Sequence, residues 1–121
     1  MHHVGIDIIE ISRITGAVER WGERFLSRIY TEAELRLCRE KMSPLAVRFA
    51  GKEAVMKALG TGVKGIRWRE IEILAEPSGK PRVQLYGKAK NQARQLGLGA
   101  LAISLSHSQE YAVAFVVAES E

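Results

Sequence analysis

The sequence predicts an α+β fold, an antiparallel sheet packed against helices within a single domain. Three observations carry that prediction. A β-branched run near the start, Val4 to Ile9, reads as a strand. Two later stretches, Trp68 to Tyr86 and Ala100 to Ala118, each read as a hairpin around turn residues. Between them, apolar residues recur at three- and four-residue steps, the spacing of helices that bury one face. The 121 residues, 46% hydrophobic and 26% charged, suffice for one cored domain over 1–121.

In the opening strand Asp7 stands among Ile6, Ile8 and Ile9. Asp is depleted in strands and expensive to bury without a partner, which marks it as a candidate functional carboxylate. The alternative, a cap for the next helix, falls more naturally to Glu10 or Ser12. Ser12 is expected to cap a helix to about Trp21, and Gly22 breaks it before a second segment, Glu23 to Ile29. Ile11, Ile14, Val18, Trp21, Phe25 and Ile29 form the inward stripe, and Arg13, Ala17, Arg20, Arg24 and Arg28 recur one face over. That arginine ridge is either a solvent face salt-bridged to Glu19 and Glu23, or a dock for an acidic helix of a partner.

Thr31-Glu32-Ala33-Glu34 is a capping box, opening a helix to about Lys41. Ser43-Pro44 then starts a long central helix that stops at Gly60. Leu45, Phe49, Ala50, Ala54, Ala58 and Leu59 supply its buried face. A mid-helix glycine costs roughly 1 kcal/mol relative to alanine, so Gly51 implies close approach of another element. Glu53 lies one turn before Lys57, as either an ordinary ion pair or part of a site. Beyond the loop, Trp68 to Leu74 and Pro81 to Tyr86 form a hairpin about Ser78-Gly79, with Ile71, Ile73, Val83 and Leu85 inward. Gly87 to Leu96 is a polar helix closed by Gly97. Ala100 to Ser106 and Tyr111 to Ala118 are the last strands, joined by a turn at His107 to Glu110.

No apolar run is long enough to cross a membrane and no signal-peptide pattern opens the chain. The single Cys38, expected half-buried on a helix, forms no internal disulfide, and a reducing cytoplasm is the expected compartment. The net charge of +4 is uneven: residues 44–94 hold eleven Lys and Arg against four acids. A basic centre suits an anionic ligand, phosphate above all, although a solvated basic surface has the same composition.

Asp7 and Glu53, from separate elements, would together form the protein's share of a magnesium site, with phosphate and water oxygens completing the shell. Lys57 could bind a phosphate or protonate a leaving group. Gly60-Thr61-Gly62 offers backbone N–H groups and a hydroxyl to phosphate oxygens, but is no Walker loop. His107, at a strand end, reads as a structural hydrogen-bonder or a ligand contact. No Ser/His/Asp order or Cys/His cluster indicates hydrolysis or zinc. The rival class is a small basic module that binds RNA or an acidic protein. Across residues 50–94, however, Trp68 and Tyr86 are the only aromatics, a poor stacking platform, so no nucleic-acid partner is expected.

Gly5-Ile6-Asp7-Ile8-Ile9-Glu10-Ile11, then Arg48-Phe49-Ala50-Gly51-Lys52-Glu53-Ala54 with Lys57 and Gly60-Thr61-Gly62, and finally Ser104-Leu105-Ser106-His107-Ser108 resemble the holo-acyl-carrier-protein synthases. These are the short class of 4′-phosphopantetheinyl transferases, and the likeness covers nearly the whole chain. It implies their fold and their reaction: a serine of an apo acyl carrier protein attacks coenzyme A, takes its phosphopantetheine arm and releases adenosine 3′,5′-bisphosphate. Asp7 and Glu53 match the family's magnesium ligands and Lys57 its lysine beside the pyrophosphate. Arg48 and His107 match residues near the nucleotide, Gly60 and Thr61 the adjacent loop, and Lys80-Pro81 a hairpin tip at the adenine end. The serine proton is expected to leave through water, on the cation or on one of the carboxylates. Arg13, Arg20 and Arg24 fall where the family reads its acidic carrier protein. A homotrimer with sites between subunits, and a place in fatty acid biosynthesis, are further implications. Met56 departs from the small or hydroxylated residue common at its position.

Overall fold

The computed structural model describes residues 1–60 and 65–120. A three-stranded antiparallel sheet has the order β1-β5-β4, with β1 at His2–Glu10, β4 at Ala102–His107 and β5 at Tyr111–Glu119. A separate two-stranded hairpin pairs β2, Ile71–Ala75, with β3, Pro81–Leu85. The helices are α1 at Ile11–Trp21, α2 at Glu23–Ile29, α3 at Glu32–Cys38, α4 at Met42–Leu59 and α5 at Gly87–Gln95. The α+β fold with an antiparallel sheet against helices is the one the sequence predicts. No helix among the described residues is long and apolar enough to cross a membrane.

The pairing register explains which side of the sheet is buried. Gly5, Ile9, Ala112, Ala114, Val116 and Ile103 turn inward toward α4, while Val4, Ile6 and Ile8 turn outward with Phe115. The inner face is rich in Gly and Ala, so the helix lies close. At Gly5 an added Cβ would stand 1.8 Å from the carbonyl oxygen of Ala54. No other residue fits there. One turn earlier on α4, a Cβ at Gly51 would stand 2.5 Å from Ile73 Cδ1 and 3.3 Å from Ile103 and Leu105 of β4, which is the close approach its mid-helix position implied.

The central helix is buried on more than the single stripe the spacing suggested, and past its first turn only Phe49, Glu53, Met56 and Lys57 leave one side of it partly open. Ala46, Val47, Arg48, Lys52 and Val55 are as enclosed as the expected face, because the sheet covers one side and α3 with the hairpin covers the other. Lys52 has no solvent exposure. Its ammonium donates to Glu34 Oε1 at 2.7 Å and to the carbonyls of Trp68 and Ile71, while Glu34 also accepts from the Thr31 and Ile73 N–H groups. Burial lowers the lysine's proton affinity, and the carboxylate opposes that shift. A pair enclosed in this way survives only when its remaining polar atoms are also satisfied, and here they are.

Several boundaries differ from expectation for local reasons. β1 runs from His2 because β5 pairs with it along its whole length. Ser12 caps nothing: the first N–H of α1, on Ile11, is taken by the Glu110 carbonyl at 2.8 Å. α4 opens at Met42, one residue early, leaving Pro44 within the first turn where its missing N–H is not needed. α3 ends at Cys38, stopped by Arg39 and Glu40 at positive φ, and Cys38 is fully buried and not half-exposed. Trp68–Glu70 is a 3-10 turn preceding β2, with Trp68 stacked on Phe49 at 4.8 Å.

Candidate active site

Asp7 is the polar interruption of β1 on its inner, helix-facing side, opposite Ala114, whose small side chain leaves the carboxylate room. Glu53 occupies the turn of α4 facing that strand. The Gly5–Ala54 contact sits between them in space, two residues from Asp7 and one from Glu53. Both carboxylates line one cavity of about 400 Å³, together with Arg13 and Phe49. The structure thus unites the two acids within a single chain, and it overturns the reading of Asp7 as a helix cap.

Lys57 settles the second alternative. Its ammonium donates to Asp7 Oδ1 at 3.0 Å and to the Ile6 carbonyl at 2.8 Å, reaching across to β1. The bond therefore ties strand to helix and is not the i, i+4 surface pair with Glu53. Among the described residues no cation lies within 4 Å of Glu53. Burial first, then the charge of Asp7, raise its carboxyl above the ordinary range, with Lys57 opposing in part. Two carboxylates share one ammonium.

That imbalance is what a divalent cation would relieve. The donors are all oxygen, and no third His, Cys, Asp or Glu joins them among the described residues. Mg²⁺ characteristically takes one or two carboxylates and completes its octahedron with substrate phosphates and water, so this donor set fits it.

The other predicted residues scatter. Arg48 is buried behind α4, its Nε donating to the Ile73 carbonyl at 2.9 Å and a terminal nitrogen to Pro44 at 3.2 Å, and it does not line the carboxylate cavity. Lys80 and Pro81 line a different cavity with β4, on the sheet edge opposite β1. His107 lies on β4 as well, exposed, with β5 between it and Asp7. Gly60 ends α4 at φ 109° and donates to the Lys57 carbonyl, while Thr61 falls outside the described residues. One chain therefore holds Lys80, Pro81 and His107 away from the carboxylates, while Gly60 stays near Lys57.

The arginine ridge is not a salt-bridged face. Among the described residues none of Arg13, Arg20, Arg24 or Arg28 has a carboxylate within 4 Å. Arg13 borders the carboxylate cavity, Arg20 lies over the Trp21 ring at 5.1 Å, and Arg24 and Arg28 line an adjoining hollow. The reach of Arg13 into the site was visible in the sequence only as a place on a helix ridge, and Lys52 carried no signal of its ion pair.

The family model described as the 4′-phosphopantetheinyl transferase superfamily matches residues 3–116. The holo-[acyl-carrier-protein] synthase of Dehalococcoides mccartyi is 54% identical, over 98% of this chain and 99% of its own. Among solved structures, the Helicobacter pylori holo-[acyl-carrier-protein] synthase in complex with coenzyme A aligns with a TM-score of 0.87 at 36% identity, covering 96% of this chain and 99% of that one. The Neisseria meningitidis holo-[acyl-carrier-protein] synthase aligns with a TM-score of 0.88 at 34% identity, covering 98% of each chain.

Proposed function

Since the chain belongs to the 4′-phosphopantetheinyl transferase superfamily, among the holo-[acyl-carrier-protein] synthases, we propose that it moves the phosphopantetheine arm of coenzyme A onto a serine of an apo acyl carrier protein. In the forward step the serine oxygen bonds to the phosphorus that carries pantetheine, and the bridging P–O bond of the diphosphate breaks. The serine proton leaves through water, and adenosine 3′,5′-bisphosphate departs. The observation that carries this reading is the convergence of Asp7 and Glu53 on one cavity beside Lys57.

Asp7 and Glu53 would hold Mg²⁺, which when bound neutralises the diphosphate charge and polarises the reacting phosphorus. Lys57, tied to β1 beside the carboxylates, would stabilise the departing phosphate. Arg13, Arg20 and Arg24 hold the acidic carrier protein on α1 and α2, where no carboxylate among the described residues lies within 4 Å of them. Residues 1–121 act as one transferase domain, in the cytoplasm, supplying carrier protein for fatty acid biosynthesis.

The same chain acts as a homotrimer. Arg48, Gly60, Thr61, Lys80, Pro81 and His107 serve the nucleotide, and Lys80, Pro81 and His107 complete a neighbour's site and not their own. The separation of these last three from the carboxylates within one chain supports that arrangement, as does the apolar outer face of the sheet.

Mass spectrometry of an apo carrier protein incubated with coenzyme A and Mg²⁺ tests the reaction. The expected result is a gain of one phosphopantetheine that disappears with EDTA and in Asp7→Ala and Glu53→Ala. No gain under any condition overturns the proposal.

A further inference from the structure

Three hollows are linked by shared lining residues. The carboxylate cavity and the hollow of Trp21, Arg24 and Arg28 share Phe25. That second hollow shares Arg28 with a third, of about 580 Å³, which is walled by Arg67 and Arg69 of the 3-10 turn. An aromatic row runs beneath: Phe25 packs on Phe49 at 6.4 Å, and Phe49 on Trp68 at 4.8 Å. Through Phe25 and Arg28 the carboxylate cavity is thus linked, along an aromatic row, to a hollow lined by three arginines.

Those distal arginines are exposed, and among the described residues none has a carboxylate within 4 Å. Glu70, which also borders the third hollow, is occupied elsewhere: its Oε1 accepts from the Ala89 N–H at 3.1 Å at the start of α5. Three guanidinium groups face one carboxylate, Glu70, around this hollow, and the excess of positive charge suits an acidic partner that lies across them.

We propose that Arg67 and Arg69, with Arg28, form a second docking point for the acidic carrier protein, so that its footprint extends past α1 and α2 to the 3-10 turn. This rests on the transferase reading above. A protein whose serine reaches Asp7 and Glu53 can lie along these linked hollows, and its acidic surface then passes over all three arginines. The two docking points fix the partner's angle as well as its position.

The test compares the wild type with Arg67→Ala/Arg69→Ala and with Arg67→Glu/Arg69→Glu, after circular dichroism confirms folding. Steady-state transfer is measured at two salt concentrations, varying carrier protein and coenzyme A separately. Expected is a rise in the KM for carrier protein of about three- to tenfold for the alanine pair at low salt, larger for the glutamate pair and shrinking at high salt. The KM for coenzyme A should hold. If carrier KM is unchanged in both variants while Arg24→Ala raises it, the second docking point is wrong and the transferase reading stands. A rise in the KM for coenzyme A alone would make the third hollow a nucleotide site and overturn the proposal. Absence of transfer by the wild type would remove both readings together.

Discussion

At Glu53, function and stability oppose each other. Burial and the Asp7 charge raise its carboxyl above the ordinary 4.5, so the folded chain holds this proton more tightly than the unfolded chain. The ionised form therefore costs stability above the raised value, and that cost fades as the pH falls through it and is gone below about 4.5. Glu53→Gln should raise the melting temperature of the metal-free protein at neutral pH, lose that advantage in acid, and end transfer. A variant that melts lower than wild type at neutral pH would contradict this. Lys57→Ala should lower kcat about 10²- to 10³-fold, the usual effect of deleting a positioned charge-stabilising donor, with little change in the KM for carrier protein. Steady-state kinetics decide it. Both acids were legible in the sequence because each interrupts an apolar run, where a charge needs a reason. What they face was not. The choice of Lys57 for Asp7 over Glu53 depends on β1 lying against α4, fifty residues away in the chain. Arg48 shows the converse, since the motif marks it but only tertiary packing reveals the two carbonyls that hold it.

The element that organises these contacts is α4, gripped from both sides. β1 can approach it so closely only because residue 5 has no Cβ, and Asp7 and Glu53 flank that contact in sequence, two residues and one residue away. Gly5→Ala should lower stability by about 1 to 3 kcal/mol, the usual range for overpacking, and widen the gap between the carboxylates. Calorimetric titration should then show Mg²⁺ affinity falling more than that of the larger Mn²⁺. Equal losses for both ions would mean the contact is structural only. On the opposite side, Lys52→Met leaves Glu34 charged and buried and should cost about 3 to 5 kcal/mol, while Lys52→Met/Glu34→Gln recovers part of it, as chemical denaturation will show. Strand and helix identities were legible at this scale because period and turn chemistry are local. Boundaries were less so: Ser12 has the right chemistry for a cap, but a carbonyl from the β4–β5 turn already holds the first N–H of α1. The burial of α4 beyond its apolar stripe escaped the sequence for a related reason. Lys52 and Arg48 read as polar until Glu34 and the backbone carbonyls supply their partners.

For the molecule as a whole, the outer face of the sheet is the largest unresolved term. Ile6 is 56% exposed and Phe115, its cross-strand partner, 42%, with Val4 and Ile8 beside them. Adjacent apolar side chains on one flat face mark an association surface more often than scattered single ones do. The apolar runs of β1 and β5 were readable in the sequence, but only the fold shows that α4 covers one face while nothing among the described residues covers the other. The same chain keeps Lys80, Pro81 and His107 on the sheet edge away from Asp7, so an assembly that covers the apolar face can also bring a neighbour's residues to each carboxylate pair. Phe115→Asp tests both consequences at once. It introduces a charge at the middle of that face without touching the carboxylate cavity, and should convert a trimer to monomers in light scattering. Transfer should fall with the trimer, because Asp7, Glu53 and Lys57 remain while the nucleotide residues are lost. Monomers that retain full activity would show that one chain suffices, and a wild type that is already monomeric would assign the exposed face to another partner.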